Sequence, residues 1–323
     1  MSRVRIVEMG LRDGLQNEST HLSVVQRLEL LKKLIDAGSA NFEVGAFVSA
    51  KWVPQMAVSK DLTKLALNDI AKRKSANKLH PSVLIPNEEG MLQAIEAGIK
   101  EVAIFAACSE TFSQINTNCS IDESFERFKL VMVLAKKHKI KVRGYLSTCF
   151  VCPFENMIDP KKVVAIARRM HALGVYEISI GDTIGAAHVG QVKYLFTQLL
   201  KHIPAKQLAG HFHDTRGQAL ANILAAYEMG IKTFDSSIGG LGGCPYAPGA
   251  TGNVATEDVV YMFEGMKVNT GLNLEKLIQT NHWLQPFMDH ALSSKVAKVG
   301  LLKPIKATSK KYAKSRFMLN KKY

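Results

Sequence analysis

A chain of 323 residues that is 47% hydrophobic can bury a large core, yet no apolar run in it approaches the length of a membrane span. The formal net charge of +14 is local: ten Lys and Arg, and no carboxylate, fall between Lys295 and Tyr323, so the rest of the chain carries only +4. The five cysteines, Cys108, Cys119, Cys149, Cys152 and Cys244, are odd in number and lack framework spacing, which argues against a disulfide scaffold. Cys149-x-x-Cys152 has no second pair with which to build a four-cysteine zinc site, so small, semi-buried thiols are expected.

The N-terminus opens directly into the strand-like run Val4-Arg5-Ile6-Val7. With no signal-peptide core or transit stretch before it, a cytoplasmic protein is expected. Short β-rich runs are predicted near 4–9, 41–45, 82–85, 101–106, 141–147, 176–180, 208–211 and 232–236. Between them the apolar period becomes helical over 24–37, 60–75, 88–97, 122–138, 160–173, 189–202, 218–229 and 256–266. Gly38, Gly98, Gly174 and Gly230 follow helical runs where left-handed caps are expected. Eight strand–helix units in about 270 residues fit a closed parallel (β/α)8 TIM barrel better than a doubly wound sheet, and no Gly-x-Gly-x-x-Gly turn follows the first strand. Residues 274–292 read as one further helical region packed outside the barrel. The expected organisation is therefore one catalytic domain over 1–300 and a flexible basic tail over 301–323.

In such barrels the catalytic groups sit at the C-terminal ends of strands and in the loops that follow. Polar residues collect there: Arg12 and Asp13 within Gly10-Leu11-Arg12-Asp13-Gly14, Glu43 on the second strand, Asp182 after Gly181, and His211-Phe212-His213-Asp214 at the end of the seventh. Side chains two apart on a strand point the same way, so His211 and His213 can address one metal ion. Singly, Asp13 reads as a turn residue, Arg12 as a surface charge, Asp182 as a helix cap and Glu43 as a satisfied carboxylate; their common placement favours a site. The glycine-rich stretch from Gly239 to Asn253 lacks the Gly-Lys-Ser/Thr of a nucleotide loop and reads as a mobile lid carrying Cys244.

Arg12-Asp13-Gly14-Leu15-Gln16-Asn17-Glu18, Phe47-Val48-Ser49 with Lys51-Trp52-Val53-Pro54-Gln55-Met56, Gly181-Asp182-Thr183-Ile184-Gly185, His211 to Asp214, and Gly240-Leu241-Gly242-Gly243-Cys244-Pro245-Tyr246 through Thr256-Glu257-Asp258 together resemble the 3-hydroxy-3-methylglutaryl-CoA lyases. These belong to the metal-dependent TIM-barrel lyases and Claisen condensing enzymes, and the likeness runs in order from about residue 4 to 298. The resemblance implies carbon–carbon cleavage of an acyl-CoA substrate in leucine breakdown or ketone-body formation, by a homodimer without membrane attachment. It implies Asp13, His211, His213 and Asn253 as ligands of Mg2+ or Mn2+, with Arg12 stabilising an enolate, Cys244 in proton transfer, and Glu43 and Asp182 in support. His211, Asp13 and Asp182 all remain open as the base.

Leu11 stands where a proline is common, and Ala46 where a serine often lies near the acyl pocket. Ala46 raises the expectation of a longer 3-hydroxy-3-alkylglutaryl-CoA, such as the isohexenyl compound, as an alternative substrate. A condensing synthase fits less well, because the Cys244 loop matches the lyase and no regulatory domain follows. The tail adds a reading of another class, attraction of CoA phosphates or a polyanion such as RNA.

Overall fold

The alternation of strand and helix closes on itself in the computed structural model, which describes residues 2–243 and 252–301. Eight parallel strands, β1 (Arg5–Glu8), β2 (Asn41–Ala46), β3 (His80–Leu84), β4 (Glu101–Ala107), β5 (Lys141–Ser147), β6 (Glu177–Asp182), β7 (Leu208–Phe212) and β8 (Thr233–Ser236), form the barrel. Each pairs with its neighbours in sequence and β8 returns to β1, as the TIM-barrel expectation required. Most residues of these strands are buried on both faces, and all six residues of β6 are. The outer faces pack on the helices in one continuous apolar shell, while Val7, Met9, Ala46, Met56, Leu84, Ala103 and Tyr145 form a smaller cluster of their own.

The crossover helices begin where the chain supplies a cap. Ser23 and Gln26 form a capping box at the start of α1 (Val24–Asp36), and Asp159 with Pro160 at the first turn starts another helix, Pro160–Ala172. Gly38, Gly98, Gly174 and Gly230 all have positive φ, as the cap positions demand. The Cα register sets the catalytic end level: His211 on β7 lies opposite both Gly181 on β6 and Asp235 on β8.

Several features depart from the sequence expectation. The helical region predicted over 274–292 is a helix only over Leu274–Leu284; Pro286 lacks an N–H, and the chain tightens into a 3-10 turn over Gln285–Phe287. An unpredicted helix, Glu110–Thr117, capped by Ser109, follows β4. A short hairpin joins Val151–Cys152 to Asn156–Met157. The stretch Gly10–Gly14 is a π-helical turn rather than an open loop. Among the described residues no helix is long and apolar enough to cross a membrane. The tail beyond Leu301 lies outside the described residues.

Candidate active site

The π-turn after β1 folds Arg12 and Asp13 back over the barrel mouth, and it can do so only because its glycines admit close neighbours. A Cβ on Gly14 would stand 2.6 Å from Ser237 Oγ. Opposite, residues 252–255 cross the ends of β7 and β8 through backbone bridges His213–Asn253 and Ser237–Ala255, which deliver Asn253 to the same mouth. Asn253 Nδ2 donates to Asp13 Oδ2 at 2.7 Å and to the Leu241 carbonyl at 3.2 Å.

His211 and His213 leave the end of β7 on one side, with their Nε2 atoms 3.2 Å apart and each 3.8 Å from Asp13 Oδ2. One ligand-type atom from each of Asp13, His211 and His213 lies within 4.8 Å of the others. His211 Nδ1 faces Asp235 Oδ2 at 3.3 Å, which fixes the ring and turns Nε2 to the cluster. His213 Nδ1 is buried without a hydrogen-bond partner among the described residues. Two imidazoles and a carboxylate converging without thiolate suit a divalent cation, and the residues present fit one.

The electrostatics follow from burial. Burial alone would lower the Arg12 guanidinium, but Glu43, 2.5 Å from Nε, and Asp13 outweigh it and hold Arg12 above its ordinary value. Burial would raise Asp13, yet Arg12 and the two histidines hold it well below the usual carboxylate range. Against burial, Asp235 and Asp13 raise His211 above an ordinary histidine. Asp235 itself falls to about 2 although burial opposes it, chiefly because of Arg143.

Arg143 belongs to a network absent from the sequence expectation. Glu43 Oε1 accepts from Tyr145 OH at 3.0 Å, and Tyr145 OH accepts from Arg143 Nη1 at 2.7 Å. Arg143 then donates through Nε to Glu177 at 2.8 Å and pairs through Nη2 with Asp235 Oδ1 at 2.8 Å, a close ion pair outside hydrogen-bond angles. A buried chain of charges therefore joins Arg12 to His211. The available signal was charge within strand runs, since both faces of a parallel strand are buried and a charge there needs a partner. Glu8 and Glu257 form a second buried acidic layer, raised by burial to about 7 and about 8; they accept Ile238 N–H and Gly239 N–H, which begin the glycine-rich stretch.

A cavity of about 1060 Å³ opens over the cluster; Arg12, Asp13, His211 and His213 lie in its wall, and it extends between residues 47–54 and 112–119. Glu43 stands behind Arg12, buried. Asp182 does not line the cavity: its oxygens accept the N–H groups of Ala186 and Ala187 at 2.9 and 3.1 Å, and burial raises its carboxyl. Ala46 does not line it either, being packed in the small apolar cluster beside Leu84. Cys149 and Cys152 are fully buried rather than semi-buried, with Cys149 Sγ 3.8 Å from Cys108 Sγ. Cys244 lies outside the described residues.

Residues 3–284 match the family model described as HMGL-like. A Pseudomonas aeruginosa protein named 3-hydroxy-3-isohexenylglutaryl-CoA/hydroxy-methylglutaryl-CoA lyase is 46% identical over 301 residues, covering 93% of this chain and 98% of that one. The hydroxymethylglutaryl-CoA lyase of Pseudomonas mevalonii is 50% identical over 280 residues, 86% of this chain and 90% of its own. Among solved structures, an HMG-CoA lyase from Acinetobacter baumannii in complex with coenzyme A and 3-methylmalate superposes with a TM-score of 0.87 at 36% identity, covering 94% of this chain and 98% of that chain.

Proposed function

This chain belongs to the HMGL-like family, and we propose that it is a carbon–carbon lyase that cleaves 3-hydroxy-3-methylglutaryl-CoA to acetoacetate and acetyl-CoA. The observation that carries the reading is the meeting of Arg12 with Asp13, His211 and His213 in the wall of one cavity. The family's lyases at 46–50% identity over most of the chain give the substrate, and the neighbour holding coenzyme A supports an acyl-CoA.

Cleavage takes the proton from the C3 hydroxyl and moves negative charge onto the thioester oxygen. Asp13, His211, His213 and the Asn253 amide are the residues we assign to a divalent cation, Mg2+ or Mn2+, which when bound acidifies a substrate hydroxyl and aligns substrate oxygens. Arg12, held by Glu43 and Asp13, offers a fixed guanidinium to the developing enolate, so no reorganisation is needed as charge appears. Asp182 fastens the loop after β6 through Ala186 and Ala187, a positioning role rather than that of the base. Cys244 is assigned the proton delivered to the departing acetyl group, on the strength of the family likeness. Because Ala46 is outside the cavity wall, nothing in the geometry favours a longer C3 substituent. The test is acetoacetate release by purified protein from the CoA thioester, with and without EDTA: release that needs added cation supports the reading, and no release with either metal overturns it.

A further inference from the structure

Glu18 closes the motif that begins at Arg12, yet it takes no part in the cation cluster. Its carboxylate is buried and spans two segments far apart in sequence: Oε1 accepts the Gly242 N–H at 3.3 Å, and Oε2 faces His290 Nε2 at 2.7 Å. His290 belongs to the segment that follows the 3-10 turn at Gln285–Phe287. That segment is itself tied down: Gln285 Nε2 donates to the His290 carbonyl, Ser19 Oγ donates to Asp289, and Ser293 N–H donates to the Gly239 carbonyl. The other ring nitrogen, Nδ1, lies 3.1 Å from the Ala291 carbonyl.

Both nitrogens of His290 therefore face acceptors. A neutral imidazole carries one N–H and can satisfy only one of them; the imidazolium satisfies both. No lone pair is left for a cation, so Glu18, Asp289 and His290 form an ion-paired fastening although their spacing would admit a metal. Among the described residues the charged groups facing the ring are Glu18 and Asp289, both acidic. Burial lowers His290, but Glu18, the Ala291 carbonyl and Asp289 outweigh it and raise it above an ordinary histidine.

What Glu18 fastens is close to the proposed chemistry. Gly242 has φ 114° and lies so near the ligands that a Cβ on it would meet Asn253 Nδ2 at 2.6 Å and the Asp13 carbonyl at 3.1 Å. Its neighbour Leu241 supplies the carbonyl that holds the Asn253 amide, which in turn donates to Asp13. We infer that His290 is a positioning residue: as an imidazolium it holds Glu18 against Gly242 and so fixes the Leu241–Asn253–Asp13 contact. Because the folded-state value is raised, the fastening is complete at lower pH and is lost as pH rises through it.

The inference rests on the lyase reading and on Asp13 and Asn253 as its ligands, and its test separates the two. We would measure kcat/KM and Mn2+ affinity from pH 6 to 9 for wild type, His290→Gln, His290→Arg and Glu18→Gln. The expected result is that His290→Gln falls about two- to fivefold below wild type at pH 6, the range of a half-exposed ion pair, and converges with it by pH 9. His290→Arg, charged throughout, should stay with wild type at pH 6 and exceed it at pH 9. Adding His290→Gln to Glu18→Gln should cost nothing further. A ratio of His290→Gln to wild type that does not change with pH, or an equal loss in the Arg and Gln variants at every pH, overturns the inference. Wild type without turnover would remove the lyase reading, and the Mn2+ series, which needs no turnover, would still decide the role of His290.

Discussion

Replacing Arg12 by Gln removes a proposed catalytic donor and the ion-pair partner of Glu43 and Asp13, and the structure allows the effect on turnover and the effect on folding to be separated. The first is the guanidinium proposed to meet the enolate: loss of one preorganised donor costs about 10²- to 10³-fold in kcat, or roughly 3–4 kcal/mol. The second is the partner of Glu43, which is 1% exposed and would keep only the Tyr145 hydroxyl at 3.0 Å. Breaking a buried pair by removing one member costs about 3–5 kcal/mol, enough to lower the melting temperature by about 10 °C in a chain of this size. The double variant Arg12→Gln/Glu43→Gln removes the stranded charge as well. It should recover most of the lost melting temperature and none of the lost kcat, while Mn2+ affinity stays within a fewfold of wild type in both proteins. Acetoacetate release under saturating substrate and thermal unfolding by circular dichroism read the two effects separately. If kcat returns in the double variant, the single variant's loss was one of folding. If KM rises while kcat holds, Arg12 binds substrate and does not stabilise the transition state.

His213→Ala should weaken Mn2+ binding by at least about tenfold in calorimetry, since one of few ligands is lost, and full turnover in verified metal-free protein would sink the assignment. Stability should fall as pH rises from 5.5 to 8.5. Glu8 and Glu257 are raised above the ordinary carboxylate to about 7 and about 8, so what they contribute is fully present near pH 4.5 and lost as pH rises through those values, and His211 acts in the same direction. Asp13 and Asp235, held low, lose their contribution only in stronger acid, so the expected drop of about 5 °C has no compensation in this window; a flat or rising melting temperature would contradict it. Truncation after Gly300 removes eight cations. If they attract CoA phosphates, KM should rise and converge with full length as salt is added; if they bind RNA, KM should hold while salt-sensitive RNA binding disappears.

The parts of the molecule that were legible in the sequence are those whose physics is local. Alternating strand and helix periods, the caps at Ser23 and Asp159 and the left-handed glycines each act over a few residues, and together they specified a closed barrel. His211 and His213 were legible for the same reason, being two apart on one strand. Ala46 adjoins Phe47 and packs beside Leu84 and Tyr145, which line the cavity, without lining it itself. A strand residue shares a face with its second neighbour, but the register shift between Glu43 and Gly45 breaks that alternation and leaves Ala46 in the small cluster with Val7, Met9 and Tyr145. Pro286 carried a clear stop signal, but the apolar period on both sides of it outweighed that signal. The pairing of Arg143 with Asp235 left no local trace: each looks like an isolated charge in a β-rich run, and only closure of the barrel brings their strands into one interior.

That interior explains why the cation cluster stands where it does. Arg5 pairs with Glu177, Arg143 with Asp235, and Arg12 with Glu43, so three guanidiniums answer three carboxylates along the inside of the barrel. Asp13 shares Arg12 with Glu43, so within this set of ion pairs it is a fourth carboxylate against three guanidiniums. It is also the one that faces both imidazoles across the cavity wall. Burial makes an uncompensated negative charge costly, and two lone-pair donors beside it cannot compensate it while neutral. The charge is balanced either by a proton on His211, whose value Asp235 and Asp13 together raise, or by a cation among the three side chains. Metal and proton should therefore compete for this site, so apparent Mn2+ affinity should weaken about tenfold per pH unit on going below the raised value of His211.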